Sequence, residues 1–321
     1  MYRNGSRFML FLMLFSIATA FFLLPAVFAA MGMSDEELSH LFRSPWFIIM
    51  QQLLLLLTPL LLWVYAKRES FQSFLKFEPL DFTNVAIITG ISLLIQPAMM
   101  FMSGFMGLFF PNVISDVVLG IMDYPFWLVL LAVAVTPSIV EEVIFRGYIQ
   151  TQYEGLGIKK AAIISGLFFG IIHMNLQQFL YAFIAGVVFA YIVYYTKSII
   201  SGMLAHFVMN GSQMLLLRAA LIAENEMADA YEAVPMPEIT PLFAVIVIGI
   251  FALFTTPPAI LLLRTLINRC RQVHGTYETE TAAAGSEHPL PPDPSEPFVD
   301  PFLIAVVVIY ALFVVFINFL T

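Results

Sequence analysis

Apolar residues run along this chain in blocks of about 20, each closed by a short cluster of charged or turn-forming residues. Blocks of that length match the thickness of bilayer hydrocarbon. The pattern predicts nine spans, at about 8–30, 46–66, 83–110, 125–150, 160–180, 181–196, 198–217, 241–263 and 302–320. The sixth is short, and its boundary with the fifth is expected near Gln177 and Gln178. Pro257 and Pro258 are expected to kink the eighth. The first block, Phe8 to Ala30, follows Arg3 and Arg7 and ends in a weak cleavage-like Ala-Val-Phe-Ala-Ala. It is longer than the 7–15 residues usual in a signal peptide, so a retained span is the expectation.

Charge then orients the spans. With the N-terminus on the cytoplasmic side, Lys and Arg at 3, 7, 67, 68, 76, 159, 160, 197, 264, 269 and 271 all fall inside, leaving Arg43 and Arg218 outside and Arg146 within a span. The expected fold class is all-α, a polytopic transmembrane helical bundle of about nine spans. Composition agrees: of 321 residues 60% are apolar and 11% charged, with a mean hydropathy of +0.91, against about 25% charged in soluble domains. The net charge of −8 comes with no basic surface for nucleic acid. Acidic clusters at Asp35, Glu36 and Glu37, and at Glu224, Glu226, Asp229, Glu232 and Glu238, are expected in solvated external loops. The lone Cys270 excludes an intramolecular disulfide or a thiolate metal cluster, and is expected to be idle. Residues 1–124 are thus expected to be N-terminal spans and 125–217 a core. An acidic loop and the eighth span follow over 218–263, then a flexible cytoplasmic linker over 264–301 and a peripheral last span over 302–321.

Chemistry concentrates where charge is most costly. An ionised side chain at mid-span costs about 2.5–3.5 kcal/mol on insertion scales, yet Glu141, Glu142 and Arg146 fall within six residues of the fourth block. The fifth carries His173 and the seventh His206 and Asn210. At 1.5 Å per residue, Glu141, His173 and Asn210 each lie roughly 20 Å from the cytoplasmic end of their helices, and His206 roughly 13 Å. Glu142 and Arg146 are at i and i+4 and can pair along one face. Glu141 is turned about 100° away, free to face the histidines and suited to a general base. Ser138 and Ser165 have no base at a suitable spacing.

These residues resemble the CPBP family of intramembrane endopeptidases, which includes the type II CAAX prenyl proteases and is also called Abi. Glu141, Glu142 and Arg146 match its Glu-Glu-x-x-x-Arg motif, Phe169 and His173 its Phe-x-x-x-His, and His206 and Asn210 its His-x-x-x-Asn. The resemblance covers roughly residues 125–215. It implies hydrolysis of a peptide bond in a membrane-associated or lipidated substrate by a multi-pass protein, expected in the cell membrane. Glu141 would be the general base and His173 would hold the water. His206 and Asn210 would stabilise the oxyanion, with Glu142, Arg146 and Phe169 in support. No cofactor is favoured. Zn²⁺ held by Glu141, His173 and His206 is the alternative mechanism, and a peptide-binding immunity protein or a proton-coupled transporter are the alternatives in kind.

Overall fold

The computed structural model describes residues 3–112, 115–230, 240–283 and 299–319, and of the side chains it leaves out 3, 225, 227–230, 274–283 and 318–319. The described residues form an all-helical bundle whose only β-pairing is an isolated bridge between Phe77 and Ser198. Among the described residues seven helices are long and apolar enough to cross a bilayer: α1 (Asn4–Ala30), α3 (Pro45–Lys67), α4 (Phe82–Gly107), α6 (Phe126–Leu156), α8 (Leu176–Thr196), α9 (Ile199–Ala230, apolar to Glu224) and α10 (Pro241–Ala283, apolar to Val273). Between them lie α2 (Asp35–Phe42), α5 (Ser115–Ile121) and α7 (Ile158–Ile172), and α11 (Pro301–Phe319) closes the chain.

Several expectations change here. The fifth expected span, 160–180, is the 15-residue α7, about 22 Å long and too short for 30 Å of hydrocarbon. The break falls at 173–175, ahead of Gln177 and Gln178, which sit in the first turn of α8. Asp35, Glu36 and Glu37 are helical, because Ser34 and Glu37 form a reciprocal capping box that nucleates α2. Helix α9 continues through Glu224, Glu226 and Asp229, while Glu232 and Glu238 lie outside the described residues. The linker expected over 264–301 is helical as far as Ala283, and 284–298 lie outside the described residues. Helix α10 runs through Pro257 and Pro258. Cys270 is a buried free thiol.

The last helix is not peripheral. Leu303, Val306, Tyr310 and Val314 of α11 are buried in the cluster that also holds Phe145 and Phe169. Ser6 of α1 ties the ends together, bonding Tyr153 at 2.5 Å and donating to Asp300 at 2.9 Å. Asp300 in turn accepts from the first amides of α11.

Proline shapes three of the spans. Leu24, Thr58 and Thr136, each just before a proline, close a five-residue π-type hydrogen bond to Thr19, Leu53 and Leu131. A proline ring lacks the N–H that would bond four residues back and crowds that carbonyl, and a widened turn relieves the crowding. The freed carbonyls then take side chains from other helices. Ser16 donates to Leu55, four before Pro59, and Asn210 donates to Val133, four before Pro137, each at 3.0 Å.

Helices α7 and α8 form a tight antiparallel hairpin through small residues. A Cβ at Gly166 would stand 2.7 Å from Val187 Cγ2 and 2.8 Å from the Phe183 carbonyl, and one at Gly186 2.8 Å from Gly166 Cα. Gly166→Leu is therefore expected to cost about 1–3 kcal/mol or more through overpacking and to lower the folded yield in detergent. Gly107→Ala, whose Cβ meets nothing within 4 Å, should elute normally in the same size-exclusion assay.

Candidate active site

The hairpin ends at the first functional side chain. Helix α7 stops at His173 because Met174 turns left-handed at φ +50°, a conformation that costs a non-glycine residue about 1–2 kcal/mol. Asn175 then caps α8 by accepting from the Gln177 amide at 2.7 Å. His173 is thereby held at a helix end rather than on a helix face. Its Nδ1 lies 2.7 Å from the Phe169 carbonyl. A carbonyl can only accept, so Nδ1 carries a proton, and in the neutral ring Nε2 would be left with its lone pair.

Glu142 and Arg146 lie behind the site, both fully buried. Arg146 Nη1 stands 3.2 Å from Glu142 Oε1. The pairing is one of charge rather than aligned hydrogen bonding, since Nη1 and Nε have no hydrogen-bond acceptor among the described residues. Arg146 Nη2 donates to the Gly186 carbonyl at 3.3 Å. The guanidinium also rests over Phe169 at 4.3 Å and Phe189 at 5.3 Å, aromatic faces that attract a desolvated cation. Arg146 lies in a second widened stretch, the π-helical Val143–Ile149. Gly202 leaves room for the carboxylate: a Cβ there would meet Glu142 Oε2 at 2.6 Å.

His206 joins the two glutamates. Its Nδ1 is 3.0 Å from Glu142 Oε1 and its Nε2 is 3.9 Å from Glu141 Oε2. Helical angles pair Glu142 with Arg146, and angles within one helix do not reveal this contact from another. Glu141 is 12% exposed against 0% for Glu142, so the carboxylate free of Arg146 is the one that reaches open space. Phe169 spaces the set, with its ring edge-on to both His173 (5.1 Å) and His206 (5.7 Å). Ser138 and Ser165 donate to the Val135 and Phe145 carbonyls and have no base.

Glu141, Phe169, His173, His206 and Asn210 all line one cavity of about 550 Å³. Asn210 spends one amide N–H on Val133, which leaves the second for the cavity. The walls also carry residues that motif reading passes over: Ser16, Gln51, Gln52, Gln178, Tyr181 and Gln213. Their sequence signal is a carboxamide or hydroxyl inside an apolar run, weaker than a charge but of the same kind. No three His, Cys, Asp or Glu side chains among the described residues are placed to hold one metal ion.

Residues 123–212 match the family model described as type II CAAX prenyl endopeptidase Rce1-like. No curated protein and no solved structure matches the chain. The matched segment holds every motif residue from Glu141 to Asn210, on helices α6 to α9 of a multi-pass membrane bundle. Residues 123–212 are thus similar to the type II CAAX prenyl endopeptidases of the Rce1-like family.

Proposed function

We propose that the chain is an intramembrane endopeptidase that cleaves a membrane-associated or lipidated peptide with water activated by Glu141. One observation carries this reading: Glu141, His173, His206 and Asn210, from three separate helical elements, line a single cavity. A carboxylate, two imidazoles and a carboxamide are what water-driven amide hydrolysis needs, and a bilayer protein has no structural call for all four at one place.

The step follows from the groups. Glu141 takes a proton from a water molecule whose other O–H donates a hydrogen bond to His173 Nε2, and the hydroxide so formed adds to the scissile carbonyl carbon. Negative charge moves to the carbonyl oxygen. There Asn210 offers its second N–H, and His206, anchored through Nδ1 on Glu142, offers Nε2 when that nitrogen carries a proton. Glu141 returns its proton to the amide nitrogen as the C–N bond breaks, giving a carboxylic acid and an amine, and the acid then passes its proton to the amine, so that a carboxylate and an ammonium leave. Arg146 and Glu142 hold His206 and Phe169 in place. The three candidate zinc ligands do not form a metal-holding group as they stand, and no step is assigned to zinc.

Metal content and activity decide between the two mechanisms. Purified protein cleaving a farnesylated cysteine peptide in liposomes is expected to contain less than stoichiometric zinc and to keep its rate after chelation. Stoichiometric zinc, lost together with activity and restored by adding it back, would overturn the glutamate reading.

A further inference from the structure

Helix α3 lies outside the segment that matches the protease family, yet it supplies part of the cavity wall through Gln51, Gln52, Leu55 and Leu56. Two adjacent glutamines in a run of Ile, Met and Leu are costly in hydrocarbon unless something bonds them. The buried glutamines donate through Nε2: Gln96 to Ser212, Gln150 to the Ala190 carbonyl, Gln177 to Ser103 and Gln178 to Tyr181. Gln150 and the half-buried Gln52 each keep an Oε1 that is sealed from solvent without a hydrogen-bond partner among the described residues. Of these two, Gln52 is the one that lines the cavity. It also immediately precedes the widened turn Leu53–Leu57, where Ser16 already satisfies the Leu55 carbonyl. Local backbone groups therefore do not explain it.

We propose that Gln52, with Gln51 beside it, binds the substrate's main chain, Gln52 Oε1 accepting one backbone N–H of an extended peptide held against Glu141. An extended peptide entering an apolar cavity brings N–H and C=O groups that have lost water and have no helix to satisfy them. A carboxamide matches a peptide unit group for group, and rotation about its last torsion can turn the oxygen inward. Main-chain recognition tolerates varied side chains next to the scissile bond while fixing the register of the bond to be cut. The inference rests on the proteolytic reading of the site and makes Gln52 a positioning residue.

The test uses the full-length protein in lipid nanodiscs and one probe series. The parent is a fluorescent farnesylated cysteine peptide with three residues after the cysteine, and in each relative one backbone amide becomes an ester, deleting one N–H. Binding is measured on Glu141→Gln protein, which separates recognition from turnover. One ester is expected to bind about tenfold more weakly, the size of one unmade buried hydrogen bond. In the same background Gln52→Met should weaken the all-amide peptide by that factor and abolish discrimination against the ester. Gln52→Glu, which keeps an acceptor, should restore both. Parent-like binding by Gln52→Met, or ester discrimination that persists in it, overturns the proposal. If discrimination follows Gln52 but no Glu141-dependent cleavage of the probe occurs, the proteolytic reading falls and main-chain binding stands. Unchanged cleavage kinetics in Gln52→Met, with cleavage still dependent on Glu141, sinks this inference alone.

Discussion

Glu141→Gln is expected to lower the turnover number by about 10²–10⁴-fold, the range that a positioned general base supplies, while the protein accumulates in the membrane at normal levels. The two effects separate because of where Glu141 stands. Its carboxylate borders the cavity and among the described residues has no ion-pair partner closer than His206 Nε2 at 3.9 Å, so an amide of the same shape removes the proton acceptor and little structure. Peptide affinity should change far less than rate. Steady-state kinetics on reconstituted protein, together with size-exclusion profiles, check both halves. Wild-type turnover in Glu141→Gln would remove the base from the scheme.

The opposite balance is expected at Arg146. Arg146→Met should cost about 3–5 kcal/mol, because it leaves the Glu142 carboxylate buried without its counter-charge, and most of the protein should be lost to aggregation or degradation. Glu142 is fully buried, and among the described residues its partners are the Arg146 guanidinium, by charge, and His206. Arg146→Lys should rescue poorly, since the guanidinium sits 4.3 Å from the Phe169 ring centre and 5.3 Å from that of Phe189, and an ammonium lacks the planar face that stacks on aromatic rings. Glu142→Gln/Arg146→Met should fold better than Arg146→Met alone, because removing both charges removes the desolvated orphan. Thermal unfolding of the detergent-solubilised proteins measures the series. A double variant no more stable than the single would contradict the clamp.

The sequence made the helical bundle and the motif residues legible for one physical reason: charge inside an apolar block is rare enough to be noticed. Glu141, Glu142, Arg146, His173, His206 and Asn210 all stand out on that ground. The i, i+4 pairing of Glu142 and Arg146 was readable because both lie on one helix. The contact from His206 to Glu142 was not, since it depends on how α9 rotates against α6. Periodicity also missed the stop after His173. Nothing in Ile-Ile-His-Met-Asn announces a left-handed methionine, which a glycine would have signalled, so the boundary was drawn at Gln177 and Gln178 instead. Asn210 illustrates a third limit. Its bond to Val133 follows from the N–H that Pro137 lacks, and only the fold brings that carbonyl to Asn210. Long-range tethers such as Ser6 to Asp300, which bring α11 into the main core, leave no local pattern at all.

The central claim is that water cleaves a peptide bond in the cavity bordered by Glu141. Mass spectrometry of a farnesylated cysteine peptide incubated with the liposome-reconstituted protein in H₂¹⁸O tests it most directly. The account predicts one ¹⁸O in the new carboxylate of the N-terminal product with wild-type protein, and intact peptide with Glu141→Gln. Intact peptide with both proteins, or labelled product formed equally by both, would contradict it.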